Sequence, residues 1–395
     1  MNGPLRDGVM RRGRTWSYVI RVTDPSGASR PRWVGGFPTE QAAKAARDEA
    51  RVVARRGEFV DRSRITVQTY LRERLESHAL EVKPRTLSAY GQLIEAYVVP
   101  HIGRMRLQTI RPSTLSSLYQ SLLQHGGHNG RPLSVRTVDY THAVLRKAFN
   151  DAVRSEQLLT TNPASRTKRP RQHSTPRAPA DVWTPDQLRS YLHYVQPHRL
   201  SAFFWLAAYT GARRGELLNL RWPDITLDDP IGTIHIRGSV GIVDRQRVEG
   251  TTKGGRERHV TIDSVTVAVL RAHRDREAVD RDRARGSWID TNHVFRREIG
   301  APLFPSTPTA LMTKLQQAYN TDNPGQPLPV IRLHDLRHIH ATLLLRAGVP
   351  VHVVAARLGH ADAAITLRVY AHVLNDQAQE AAETFAKVLN SPADQ

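Results

Sequence analysis

A chain of 395 residues carries 57 Lys and Arg against 37 Asp and Glu, a formal charge of +20 and a pI of about 10.8. Such a surplus attracts polyanions by counterion release, DNA or RNA first among them, and no apolar run approaches the roughly 20 residues a membrane span requires. The absence of cysteine excludes disulfides, thiolate metal sites and a thiol nucleophile. Met1-Asn2-Gly3-Pro4 has no signal-peptide apolar core, so a cytoplasmic location is expected.

The length allows two or three domains, and the pattern is multidomain. Residues 1–62 read as a small α+β N-terminal domain. Trp16, Tyr18, Ile20 and Val22 alternate along a strand, Asp24-Pro25-Ser26-Gly27 forms a turn, and Arg32-Trp33-Val34 returns. A helix follows from Thr39, with Ala42, Ala46, Ala50 and Val53 on one face and Gly57 past its end. Its 13 Arg and Lys against 7 Asp and Glu fit either a solvated surface or a sheet laid in a DNA groove.

Residues 63–162 read as an all-α bundle. One helix starts at Thr66 with Tyr70, Leu71 and Leu75 inward; a second starts at Thr86, carries Tyr90, Leu93, Ile94 and Tyr97, and stops at Pro100. Leu115, Leu118 and Leu122 mark a third, and Val138, Leu145, Phe149 and Val153 a fourth, with Gly126-Gly127-His128-Asn129-Gly130 as a loop. Residues 163–180 form a basic linker: Pro163, Pro170, Pro176 and Pro179 deny it a helix, and Arg166, Lys168, Arg169, Arg171 and Arg177 meet no acidic residue within it. Two lobes so joined could close around a duplex.

Residues 181–395 read as a mixed, mainly-α domain with a small antiparallel sheet. Thr184-Pro185-Asp186-Gln187 is a helix start, and residues 202–209 are apolar on nearly all sides. Residues 233–236, 240–248 and 258–262 alternate as strands, with Gly254-Gly255 turning the last hairpin and Lys253 at its tip. Lys253 stands out, because only 7 of the 57 basic residues are Lys and none other lies between Lys168 and Lys314. Helices are expected at 264–280, 308–320, 335–347, 350–358 and 362–370, and an amphipathic one at 375–389 with Ala378, Ala382, Phe385 and Leu389 on one side.

Within this last domain lie Tyr209-Thr210-Gly211-Ala212-Arg213-Arg214-Gly215-Glu216, then Thr252-Lys253-Gly254-Gly255, then Leu333-His334-Asp335-Leu336-Arg337-His338, Leu358-Gly359-His360 and Tyr370. H-x-x-R alone arises by chance, and a tyrosine near a C-terminus alone means nothing. Five elements in this order, with L-G-H ten residues ahead of the tyrosine, resemble the tyrosine recombinase (phage integrase) family.

The resemblance implies a DNA breaking-rejoining enzyme that needs no cofactor, with Arg213, Lys253, His334, Arg337, His360 and Tyr370 as its catalytic set. Tyr370 would attack a phosphodiester and form a 3′-phosphotyrosine. Arg213 and Arg337 would hold the non-bridging oxygens, Lys253 would protonate the leaving 5′ oxygen, and His334 and His360 would donate hydrogen bonds to the phosphate or shuttle the phenol's proton. Glu216 reads as an orienter of Arg213 or as a plain surface carboxylate. His334 and His338, four apart, could be metal ligands, but no H-E-x-x-H or carboxylate cluster accompanies them; metal independence is expected, with His338 and His340 as packing or supporting groups.

By the same resemblance residues 1–62 are similar in layout to an arm-site-binding domain, and residues 63–162 occupy the place of a core-site-binding domain. The partners implied are double-stranded DNA with core and arm attachment sites, a homotetramer on that DNA, and an accessory DNA-bending or directionality factor. Phage or mobile-element integration is the activity expected. A type IB topoisomerase and a DNA-binding regulator without catalysis are the alternatives.

Overall fold

A computed structural model describes residues 7–23, 28–55, 59–169, 183–228, 230–252 and 254–375. The chain divides into two compact units, Met1–Ser174 and Thr175–Gln395. The Asp24–Gly27 turn, Gly57, the linker from residue 170 to 182, Lys253 and most of the expected 375–389 helix lie outside the described residues.

The first unit opens with an antiparallel sheet of β1 (Val9–Arg12), β2 (Thr15–Thr23) and β3 (Ser29–Phe37), in which Tyr18 faces Val34. Its alternation places Tyr18 and Ile20 on the face covered by helix α1 (Glu40–Arg55). That helix turns Ala43, Arg47 and Ala50 fully inward and Ala42 and Ala46 only halfway, so its buried stripe is rotated slightly from the expected one.

The bundle follows. Helix α2 (Val67–His78) begins where Thr66 Oγ1 accepts the backbone N–H of Thr69 at 3.2 Å, and it buries Tyr70 and Leu71. Helix α3 (Pro84–Leu93) runs through a π-helical turn, Ile94–Val98, into α4 (Val99–Ile102). The expected stop at Pro100 does not occur. Pro100 falls in the first turn of α4, where a missing N–H is tolerated, and the wider turn ahead of it absorbs the misfit. Helices α5 (Pro112–His125) and α6 (Val135–Arg154) close a core around Leu115, Leu122, Leu145 and Phe149. Residues 163–169, expected as open linker, instead pack on this bundle: Asn162 caps a short 3-10 turn, Pro163–Arg166, and Arg169 pairs with Asp139 of α6.

In the second unit α7 (Pro185–Tyr194) starts in the expected capping box of Thr184 and Gln187. Helix α8 (Ser201–Thr210) is buried on nearly every side and forms the axis of the core, followed by the short α9 (Arg214–Asn219). Strands β4 (Ile225–Thr226), β5 (Gly232–Ile236) and β8 (Arg258–Ile262) make one antiparallel sheet, while β6 (Gly238–Val243) and β7 (Gln246–Thr251) make a separate ribbon. The single strand expected over 240–248 is therefore broken. Asp244 and Arg245 both take positive φ, +47° and +65°, and turn the chain back as a two-residue hairpin. Strands β7 and β8 belong to different sheets, so the Gly254-Gly255 turn is not a hairpin between paired strands. Helices α10 (Ser264–Ala284), α11 (Thr307–Asp322), α12 (Asp335–Arg346), α13 (Val351–Leu358) and α14 (Ala363–Asn375) complete the unit.

Candidate active site

The site begins at two glycines. Gly211 ends α8 at φ +62°, and a Cβ there would lie 2.7 Å from Leu358 Cδ2 and 2.8 Å from His340 Cδ2. Gly359 ends α13 at φ +68°, and a Cβ there would strike the Arg258 guanidinium at 2.6 Å. Both positions need left-handed backbone and empty space, which only glycine supplies together. The two turns are joined directly: Arg213 Nη2 donates to the Gly359 carbonyl at 3.2 Å.

Arg213 precedes α9 and is fixed by Glu216, which accepts from its backbone N–H at 2.9 Å and from Nη1 at 2.8 Å. The Glu216 side chain has no exposed surface, and its second oxygen also takes Arg258 Nη2 at 2.7 Å. Burial alone would raise its pKa; the hydrogen bond and charge of Arg258, joined by Arg213, outweigh that and hold the carboxyl below its ordinary value. Glu216 is thus a buried brace between two guanidiniums and no surface carboxylate. Arg258 in turn donates through Nε to the Arg357 carbonyl at 2.9 Å, tying β8 to the end of α13.

Arg337 lies in α12 with 4% of its surface exposed, and its Nη1 donates to the Gly211 carbonyl at 2.7 Å. Its Nη2 is buried without a partner among the described residues. Burial, then the neighbouring charge of Arg213, lowers its pKa to about 9, with Glu216 opposing. A guanidinium in this position is short of an anion.

Tyr370 sits in α14 at 3% exposure, with φ −115° and ψ 16° breaking the local helical geometry. Burial raises its pKa to about 12, against a lowering by Arg337. Its Oη lies 2.8 Å from His338 Nδ1. His334, open to solvent at the start of α12, packs edge-on against His338 with ring centroids 5.3 Å apart. His360 Nδ1 is 2.7 Å from Thr366 Oγ1, and burial followed by the charges of Arg337 and Arg213 lowers its pKa to about 4. Arg213, His334, Arg337, His360 and Tyr370 therefore converge; Lys253 is outside the described residues, while its neighbour Thr252 is buried and bonds the Arg256 carbonyl at 2.7 Å.

Two site residues lay outside the expected catalytic set. His338, read there as a packing or supporting group, holds the phenol; its place four residues after His334, one helical turn on, was the available signal. Arg258 had none, because an arginine at the start of a strand is ordinary in a chain with 50 of them. His340 does pack, accepting Arg357 Nε at 3.1 Å on Nε2. Among the described residues no group of three or more His, Asp or Glu side chains is placed to hold a metal, and no helix is long and apolar enough to cross a membrane.

Two guanidiniums, three imidazoles and a phenol are thus gathered by the ends of α8 and α13 together with α12 and α14. Residues 182–377 match the phage integrase family, and residues 66–123 match the phage integrase N-terminal SAM-like domain. The chain belongs to this family, the tyrosine recombinases, enzymes that cleave and rejoin DNA through a tyrosine. It is 27% identical to a tyrosine recombinase XerC-like protein of Caldanaerobacter subterraneus subsp. tengcongensis, over 88% of this chain and 89% of that one. It is 25% identical to the ICEBs1 integrase of Bacillus subtilis, over 80% and 81%. In fold it resembles the Tn1549 transposon integrase in complex with a circular intermediate DNA, with a TM-score of 0.67 and 20% identity over 81% of this chain and 99% of that one. A lambda integrase dimer bound to a core site aligns with a TM-score of 0.55 and 16% identity over 92% and 95%.

Proposed function

We propose that this tyrosine recombinase is an integrase that inserts a phage genome or mobile element by site-specific recombination through a 3′-phosphotyrosine. Tyr370 Oη attacks the phosphorus, the P–O5′ bond breaks, and the released 5′ hydroxyl is free to attack the phosphotyrosine of a partner strand, so bond energy is kept without a nucleotide cofactor. Arg213 and Arg337 bind the non-bridging oxygens, His334 and His360 donate to the same phosphate, and Lys253 supplies the proton to the leaving oxygen. The observation that carries this reading is Arg337 Nη2, a buried donor without a partner beside the phenol. A native protein leaves such a group open at a cost, which a bound phosphate would repay.

The domain roles are part of the proposal. Residues 63–162 would bind the core site and residues 1–62 arm sites, with four protomers assembled on two duplexes and an accessory DNA-bending factor setting direction. Support comes from the relatives, which are named as integrases, the ICEBs1 integrase and that of Mycobacterium phage L5 among them, the last 27% identical over 75% of this chain and 73% of its own.

A nicked core-site substrate that loses its 5′ fragment on cleavage tests the chemistry. A denaturation-resistant adduct should map to Tyr370 and vanish in Tyr370→Phe, while site binding persists. An adduct on another residue, or none with any substrate from a target library, would sink the reading. Relaxation of supercoils without a preferred site would replace it with the topoisomerase alternative.

A further inference from the structure

The phenol that must attack is the least ready group in the site. At a pKa of about 12 only roughly one molecule in 10⁵ is ionised at pH 7, so a proton acceptor has to meet Oη as the bond to phosphorus forms. Among the described residues one base contacts Oη directly. Both Glu216 oxygens are held by Arg213 and Arg258, and both Asp335 oxygens by Arg332, at 2.8 Å and 3.1 Å through its Nη2 and Nε. His360 Nδ1 faces Thr366, and His340 Nε2 takes Arg357. His334 touches the ring of His338 and not the phenol.

We propose that His338 is the proton acceptor for the attacking phenol: its Nδ1, 2.8 Å from Tyr370 Oη, takes the hydroxyl proton as Oη bonds to phosphorus. This rests on the reading of Tyr370 as nucleophile, and it moves the base away from His334 and His360, where the family resemblance had put it. The phenol donates and Nδ1 accepts, so the imidazole carries its own proton on Nε2. Burial keeps the ring neutral; Asp335 pushes against it, while Arg337 on the same helix and Arg332 just ahead of that helix push the same way as burial. From other elements Tyr370 and His360 face it, with His334 edge-on from one turn earlier.

The step balances. The Oη–H bond breaks and Nδ1–H forms; Oη–P forms and P–O5′ breaks, with the leaving oxygen taking its proton from Lys253 in the mechanism proposed above. On rejoining, the 5′ hydroxyl attacks and gives its proton back to Lys253, O5′–P forms and Oη–P breaks, and His338 returns the proton to Oη. His338 is well placed for both directions, since α12 carries it one residue after Arg337, whose charge stabilises the phenolate but cannot take its proton. One helix thereby supplies the group that polarises the phosphate and the group that activates the nucleophile.

The test is single-turnover adduct formation on the nicked core-site substrate, with His338→Ala, His338→Asn and Tyr370→Phe measured beside the unaltered full-length protein. His338→Ala should slow adduct formation by about 10²- to 10⁴-fold with site binding intact. Added imidazole should restore part of that rate, which no loss of packing would allow. His338→Asn places an amide oxygen near the Nδ1 position, so it can hold the phenol but not deprotonate it; it should fold, bind and remain as slow as His338→Ala. The unaltered protein's rate should fall on acidification as His338 gains a proton, and this limb should be absent from both variants. Full activity in His338→Asn, or a slow His338→Ala that imidazole does not rescue, overturns the assignment while leaving Tyr370 as nucleophile. An adduct in Tyr370→Phe overturns both readings.

Discussion

Two arginines, one in each unit, are equally buried and differently treated. Arg74 of α2 is 5% exposed and hands its guanidinium to Asp151 of α6, with Nε 2.9 Å from Oδ2. Arg337 of α12 is 4% exposed; among the described residues one amino group meets a carbonyl and the other has no hydrogen-bond partner. The six buried side-chain atoms without a partner among the described residues all lie in the Thr175–Gln395 unit. Burying a charge is tolerable when a partner neutralises it and costly when none does. Arg74 holds two helices together through its carboxylate partner, whereas Arg337 keeps one amino group unpaired among the described residues.

Replacing each arginine's role by an apolar or truncated side chain should separate the two cases. Arg337→Met should slow adduct formation by about 10²- to 10³-fold, the cost of losing one preorganised oxyanion donor. Its thermal stability should hold or rise, because an uncompensated buried charge is replaced by a side chain of similar length. Chemical denaturation alongside the cleavage assay reads both; a marked drop in stability would mean that Arg337 is structural. Asp151→Ala should do the reverse. It strands Arg74 and should lower stability by about 1–3 kcal/mol while cleavage, measured below the melting temperature, stays within a few-fold.

The same contrast explains what could be read from the chain. Periodic apolar positions such as Leu115, Leu118 and Leu122, and caps such as Thr184 with Gln187, act over one or two turns, and these elements appear where expected. The convergence of Arg213, His334, Arg337, His360 and Tyr370 was legible only through the resemblance, since no local rule links residues more than 150 apart. Two things were not legible, and a third only in part. The Asp244-Arg245 reversal depends on positive φ at two residues that are not glycine. Arg258 gained its role from tertiary approach to Gly359 and Glu216, and His338 from the way α14 docks Tyr370 against α12.

A smaller effect should come from the brace behind Arg213. Glu216→Gln keeps the volume but weakens two charge-assisted bonds, to Arg213 and to Arg258. Arg213 should then be held less rigidly, and cleavage should slow by roughly 10-fold, less than for removing a donor outright. Arg258→Lys should fall between the unaltered protein and Glu216→Gln, since a lysine reaches one of the two acceptors, Glu216 or the Arg357 carbonyl, but not both in the same fork. Equal cleavage in all three proteins would show that Arg213 needs no brace.

The mildest difference between the units is in their response to acid. His340 and His360 both have pKa values lowered to about 4, chiefly by burial, and burial also lowers His273, His293 and His338 in the second unit. In the first unit His142 is lowered in the same way, and no other described histidine there has a resolved shift. A histidine whose folded pKa lies below its unfolded value near 6.5 binds fewer protons in the fold than in the open chain. Its contribution is complete above pH 6.5 and is lost as pH falls from there toward 4. The second unit should therefore loosen first on mild acidification. Hydrogen exchange of the full-length protein at pH 7.5 and pH 5, corrected for the intrinsic rate, should show α12 and α13 losing protection while α5 and α6 keep theirs. Equal losses in both would mean that the buried imidazoles do not set the acid limit of the site.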